Sequence, residues 1–156
     1  MVDVVDKETR RRMMSGIRAK NTKPEMLVRK ILFAAGYRFR LHRRELPGAP
    51  DVVLPGRKVA IFVHGCFWHR HAGCGFATSP TTNAAFWHAK LSGNVERDAR
   101  AIEALKETGW RVLVVWECAT KGKSTEAVTD LARALSEWIE GNAPFGEIPE
   151  TLPIKM

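Results

Sequence analysis

Apolar residues recur at helical spacing through Leu27, Val28, Ile31, Leu32 and Ala35, and the residues around them punctuate the run. Thr22 can serve as N-cap, with Glu25 three residues later as a capping box requires. Pro24 is tolerated in the first turn, and Gly36 suits a C-terminal stop. These signals predict a helix. From Tyr37 to His42 aromatic or apolar residues alternate with basic ones, the pattern of a half-exposed strand. Asp51–Leu54 and Lys58–Val63 are two apolar runs joined by Pro55-Gly56-Arg57, which predicts a hairpin.

Residues 64–82 are rich in His, Gly, Cys and Pro, lack helical period and read as an ordered loop without a core of their own. Asn83–Leu91 predicts a short helix broken at Ser92-Gly93, with Asn94 capping a longer helix through Lys106. Trp110–Trp116 (WRVLVVW) is nearly continuous in apolar character, as a strand buried on both faces should be. Val128, Leu131, Leu135, Trp138 and Ile139 mark one side of a last helix over about residues 125–140. The tail, residues 141–156, is rich in Pro and Gly and is expected to be irregular. The order helix, strands, helix, strand, helix implies an α/β fold, a central mixed β-sheet flanked by helices, in one domain over residues 1–156.

Charge narrows the partner. Lys and Arg number 25 against 17 Asp and Glu, a formal net charge of +8. Such an excess favours a polyanion, because basic side chains release condensed counterions when they meet phosphates. Residues 1–20 are dense in Arg and Lys and read either as a solvated helix or as a DNA-contacting arm. The N-terminus has no apolar h-region and no stretch is long enough to span a bilayer, so a cytoplasmic location is expected.

The three cysteines are too few for a disulfide framework. Cys66, His71 and Cys74 form a C-x4-H-x2-C cluster, and Cys118 lies just past the end of the apolar strand. Three thiolates and one imidazole make a closed tetrahedral set that suits structural Zn²⁺, which would clamp the irregular loop to that strand. The plain alternative is three buried thiols and a surface histidine.

Asp51 opens one strand of the hairpin and Val63-His64 closes the other, with His69 just beyond. A carboxylate at a sheet edge beside two histidines can bind Mg²⁺ and activate water, the requirements of phosphodiester hydrolysis. Each residue alone is equally a turn or structural residue, so the grouping carries the reading. Phe67 and Trp68 sit in a polar loop, where adjacent stiff aromatics either pack beneath it or enter a base stack. Lys90, Asn94 and Arg97 share a helical face. Lys and Asn can reach base edges and Arg a phosphate, although a solvated face is the commoner explanation.

VAIFVHGCFWHRH (Val59–His71), NVERD (Asn94–Asp98) and GWRVLVVWEC (Gly109–Cys118) together resemble the Vsr family of mismatch endonucleases, as do DKETRRRMMSGI near the start and Leu46-Pro47-Gly48 before Pro50-Asp51. The resemblance covers roughly residues 3–140. It implies a restriction-endonuclease-like fold and a strand-specific nick 5′ to the thymine of a T:G mismatch left by deamination of 5-methylcytosine.

It further implies Asp51 and the backbone carbonyl of Val63 as Mg²⁺ ligands, and His69, supported by Asp98, as activator of water. His64 would contact the scissile phosphate and Glu25 would organise the metal's waters. Cys66, His71, Cys74 and Cys118 would hold Zn²⁺. Met14, Phe67 and Trp68 would form a wedge in double-stranded DNA, with Lys90 and Asn94 reading the mispair. Mismatch-repair proteins are candidate partners, and a monomer is expected because a nick needs one active site. A zinc-stabilised DNA-binding module without catalysis, and a nuclease of the same fold with another target, are the competing readings.

Overall fold

The computed structural model describes residues 22–149 apart from Gly73, Phe76, Ser79 and Lys123, so the N-terminal arm and Met14 lie outside the described residues. Helix α1 (Lys23–Ala34) starts at Thr22, whose hydroxyl accepts the Glu25 N–H at 3.4 Å. The Glu25 carboxylate does not complete the box. It accepts instead from His42 and Arg29. Gly36 follows the helix at φ +85°, and the Tyr37 N–H reaches back to the Leu32 carbonyl at 3.0 Å, closing the last turn.

Five strands form one sheet in sequence order: β1 (Arg40–Leu41), β2 (Val52–Leu54), β3 (Val59–His64), β4 (Arg111–Trp116) and β5 (Phe145–Ile148). The first two pairings are antiparallel and the last two parallel. Each parallel step is crossed by a helix, α2 (Ala84–Glu107) between β3 and β4 and α3 (Thr125–Glu140) between β4 and β5.

Strand alternation sorts the core into two layers. Val59 and Ile61 of β3, with Leu113 and Val115 of β4, pack with Val28, Ile31 and Leu32 of α1 and Leu131, Leu135 and Ile139 of α3. Ala60, Phe62, Val112, Val114 and Trp116 point the other way, toward Ala101, Ile102 and Leu105 of α2. His64 shares the parity of Ala60 and Phe62, so the end of β3 carries it to the α2 side. It stands in register with Trp116.

Three expectations need correction. The strand predicted over residues 37–42 pairs only at Arg40–Leu41, while Tyr37 and Phe39 contribute side chains to the core. Ser92-Gly93 does not break α2, and Asn94 is an interior residue rather than a cap. An interior glycine costs about 1 kcal/mol, and Leu91 and Leu105, buried on either side of it, supply the packing that holds one continuous helix.

The tail is not wholly irregular. Phe145–Ile148 adds a parallel edge strand to β4, with Phe145 packing in one core layer and Ile148 in the other. Among the described residues no helix is long and apolar enough to cross a membrane.

Candidate active site and metal centre

The loop after β3 is folded back by its own backbone. The His69 N–H bonds to the Gly65 carbonyl at 3.1 Å, and the His71 N–H to the Cys66 carbonyl at 2.9 Å. This brings Cys66, His71 and Cys74 to Cys118, which sits in the 3-10 turn Glu117–Thr120 after β4. The four ligand atoms lie within 4.8 Å of one another. His71 Nδ1 is 3.6 Å from Cys66 Sγ and 3.5 Å from Cys118 Sγ. Zinc bonds of roughly 2.3 Å to sulfur and 2.0 Å to nitrogen give a tetrahedral S···N edge of roughly 3.5 Å, so this Cys3His set fits the ion.

Burial pushes the Cys66 thiol up to about 12, and it raises Cys118 as well. A metal-free cluster would therefore hold thiols, whereas a cation would convert them to thiolates. The His71 ring stacks on Trp116 with centroids 4.1 Å apart. Burial lowers its pKa, against the opposing charge of Glu147.

A second group meets at the mouth of the sheet. His69 Nδ1 lies 2.5 Å from a carboxylate oxygen of Asp98 on α2, which leaves Nε2 open to a reactant. The His64 and His69 rings stack at 3.8 Å, and His64 Nε2 is 3.9 Å from the other Asp98 oxygen. Burial, and then the neighbouring His69, holds the His64 pKa well below the usual imidazole range, so His64 is neutral.

Asp51 and Glu25 form the acidic side, with His42 between them. Asp51 Oδ2 accepts the Val63 N–H at 2.8 Å. Burial raises the Asp51 carboxyl to about 6, helped by the nearby Glu25 and opposed by that N–H, His42 and His69. Glu25 is 2% exposed, and its Oε2 takes His42 Nε2 at 2.8 Å and an Arg29 guanidinium nitrogen at 3.3 Å. The ligand atoms of Glu25, His42 and Asp51 lie close enough to share one cation.

Over the loop, Phe67, Trp68 and Trp87 pack as one aromatic cluster. Centroid separations are 4.9 Å for Phe67–Trp68, 5.6 Å for Phe67–Trp87 and 5.5 Å for Trp68–Trp87. None of the three is fully buried, and Phe86 beside them is 52% exposed.

With this geometry in view, comparison with known proteins is decisive. The family model of the DNA mismatch endonuclease Vsr matches residues 2–74. DNA mismatch endonuclease Vsr of Escherichia coli K12 is 44% identical over 150 residues, 95% of this chain and 94% of that protein. The type II nicking enzyme V.XorIIP of Xanthomonas oryzae is 50% identical over 118 residues, 76% of this chain and 86% of its own. The type II nicking enzyme V.NmeAIP of Neisseria meningitidis is 40% identical over 139 residues, 88% of this chain and 99% of its own.

The chain belongs to the Vsr family of DNA mismatch endonucleases. As a Vsr-family protein it is a nuclease whose partner is DNA, and the Cys3His group offers it a metal site. Of the residues singled out from sequence, Asp51, Val63, Glu25, His64, His69 and Asp98 are brought to one end of the sheet.

Asn94 is tied to the loop and to its own helix. Its side-chain amide donates to the Trp68 carbonyl at 2.9 Å and its oxygen accepts from Arg97, so Asn94 and Arg97 brace the aromatic loop. Lys90 lies partly exposed on the same helix, one turn earlier.

Two residues escaped the sequence reading. His42 looked like the end of a basic strand, and Trp87 looked like an ordinary helix residue. A signal existed for each. His42 lies nine residues before Asp51, across a turn-rich segment that returns the chain to the same edge, and Trp87 lies one helical turn from Lys90.

Proposed function

We propose that this Vsr-family protein is a strand-specific, Mg²⁺-dependent endonuclease that nicks duplex DNA 5′ to the thymine of a T:G mismatch, on a restriction-endonuclease-like fold stabilised by Zn²⁺. The observation that carries the reading is His69, held through Nδ1 by Asp98 and near enough to Asp51 for its charge to act on that carboxyl.

A divalent cation held by Asp51 and the Val63 carbonyl would take up negative charge on the phosphate and lower the pKa of water. The protein's own part follows from its geometry. Asp98 fixes the tautomer of His69 and stabilises the imidazolium, so Nε2 can accept a proton from the water whose oxygen bonds to phosphorus. The bond from phosphorus to the leaving sugar oxygen breaks, and that oxygen takes a proton from solvent. Neutral His64, stacked on His69, keeps the ring plane and offers a hydrogen bond to the scissile phosphate. Glu25, anchored by His42 and Arg29, accepts from water around Asp51.

Phe67 and Trp68, buttressed by Trp87, supply the apolar wedge together with Met14 of the N-terminal arm. Lys90 and the remaining donor of Asn94 read the mispair, while Arg97 holds a phosphate. Mismatch-repair proteins are the protein partners this role would bring, and one chain carries the complete site, so a monomer acts.

The test is nicking of a T:G duplex by zinc-loaded protein dialysed free of Mg²⁺, and again after adding Mg²⁺. Activity restored by Mg²⁺ in the native chain, and absent in His69→Ala, supports the assignment. Unchanged nicking by His69→Ala would remove the general base.

A further inference from the structure

The metal centre and the catalytic histidines are joined by a chain of ring contacts, two stacked and one edge-on. His69 lies face to face on His64, with centroids 3.8 Å apart and planes 7° from parallel. His64 meets the edge of Trp116 at 5.4 Å and 71°. Trp116 in turn lies flat on the zinc-ligand candidate His71, at 4.1 Å and 7°. The strand register makes the middle of this chain rigid, because His64 and Trp116 are direct neighbours across β3 and β4. Trp116 is 7% exposed, and its indole N–H donates to Glu147 of β5 at 3.1 Å, which fixes the rotation of the ring.

Each contact is an ordinary aromatic pair. Their sequence is what matters. A shift of the His71 ring presses on Trp116, and Trp116 bears on His64, the ring stacked on His69. A four-coordinate ion at Cys66, His71, Cys74 and Cys118 would fix His71 through Nδ1, the atom facing both thiols. We propose that Trp116 is a positioning residue, which transmits the geometry of the Cys3His centre to the His64–His69 pair and so couples metal occupancy to endonuclease competence. The coupling rests on the reading of His69 as the general base, but the ring chain can be tested without any cleavage.

The spectroscopic arm uses the full native chain loaded with Zn²⁺ or with the larger Cd²⁺, and follows the imidazole ¹⁵N signals of His64 and His69 by long-range NMR. Exchange to Cd²⁺ displaces His71, and both imidazoles are expected to shift. His69 also shares a loop with the ligands Cys66 and His71, so the part carried by Trp116 is the part lost when the same exchange is made in Trp116→Leu. Unmoved His64 and His69 signals would overturn the coupling. The Asp51→Ala protein should show the same shifts, so a failure of the cleavage mechanism stays separate from a failure of the ring chain.

The kinetic arm compares Trp116→Phe and Trp116→Leu, each with its bound zinc measured. Phe keeps a flat ring and should keep kcat within about threefold, whereas Leu should retain zinc and DNA KM but lose about ten- to a hundredfold in kcat, the scale of a misplaced catalytic group. Full kcat in zinc-loaded Trp116→Leu would contradict the proposal. If Trp116→Leu does not fold, Trp116→Met takes its place in both arms, and unchanged imidazole shifts and kcat in that variant would overturn the coupling.

Discussion

His69 Nδ1 and a carboxylate oxygen of Asp98 lie 2.5 Å apart, bridging a loop and a helix separated by 29 residues of sequence. A carboxylate can only accept, so the proton of His69 sits on Nδ1 and the basic lone pair on Nε2. Asp98 therefore decides which ring nitrogen is left to accept a proton. Asp98→Asn can donate as well as accept and so admits the wrong tautomer. It is expected to lower kcat by about a hundredfold or more, with DNA affinity little changed. Single-turnover cleavage alongside equilibrium binding checks the split.

With Asp51 as the proposed cation ligand, stability and activity are expected to pull in opposite directions. Its folded-state pKa is about 6 against an ordinary 3.8, burial being the main cause, with Glu25 adding repulsion and His42 and His69 relieving it. A raised carboxyl pKa means the folded state binds the proton more tightly. The cost of ionising Asp51 is then absent below about pH 4 and fully present above about pH 6. Asp51→Asn should therefore stabilise metal-free protein at pH 7 by about 1–3 kcal/mol, and the gain should vanish toward pH 4 while nicking is lost. Urea unfolding at the two pH values measures it. Equal effects at both would show that the carboxyl is not desolvated.

Ionisation of that carboxyl also bears on cation affinity. A cation at Asp51 competes with its proton, so Mg²⁺ affinity should fall about tenfold per pH unit below 6 in the native chain. The same dependence should be missing in Asp51→Asn. Calorimetric titration of Mg²⁺ between pH 5 and pH 8 reads this directly.

Much of this site was legible in the sequence because the chain packs its chemistry into short segments. Thr22 and Glu25 set the start of α1, the WRVLVVW run located β4, and the spacing of Cys66, His71 and Cys74 announced the cluster that Cys118 completes. What stayed hidden depends on tertiary packing. Nothing local to Phe145–Ile148 says that an edge of β4 awaits it, and Ser92-Gly93 carries a break signal that Leu91 and Leu105 override. His42 takes a left-handed φ of 47° and meets Glu25, a long-range contact that its neighbours in sequence do not announce.

The Cys3His centre should be a structural clamp. Cys118→Ser removes one thiolate and is expected to lose the metal, together with about 2 kcal/mol or more of stability. Metal analysis of the purified variant and thermal unfolding in parallel test this. A stable, active, metal-free Cys118→Ser protein would contradict the clamp.

The aromatic cluster should discriminate between DNA substrates. Changing Phe67 and Trp68 together to Ala is expected to weaken T:G binding by at least about tenfold more than binding to matched duplex, since stacked aromatics contribute about 1–3 kcal/mol each. Competition binding at fixed salt compares the two. Equal losses would assign the pair to packing beneath the loop.

The most direct measurement is strand-resolved cleavage of a labelled duplex carrying one T:G mispair, with Mg²⁺, beside its matched counterpart. A single nick 5′ to the mispaired thymine is expected, absent from the matched duplex and abolished by Asp51→Ala. Equal cutting of both duplexes, or nicking that survives Asp51→Ala, would contradict it.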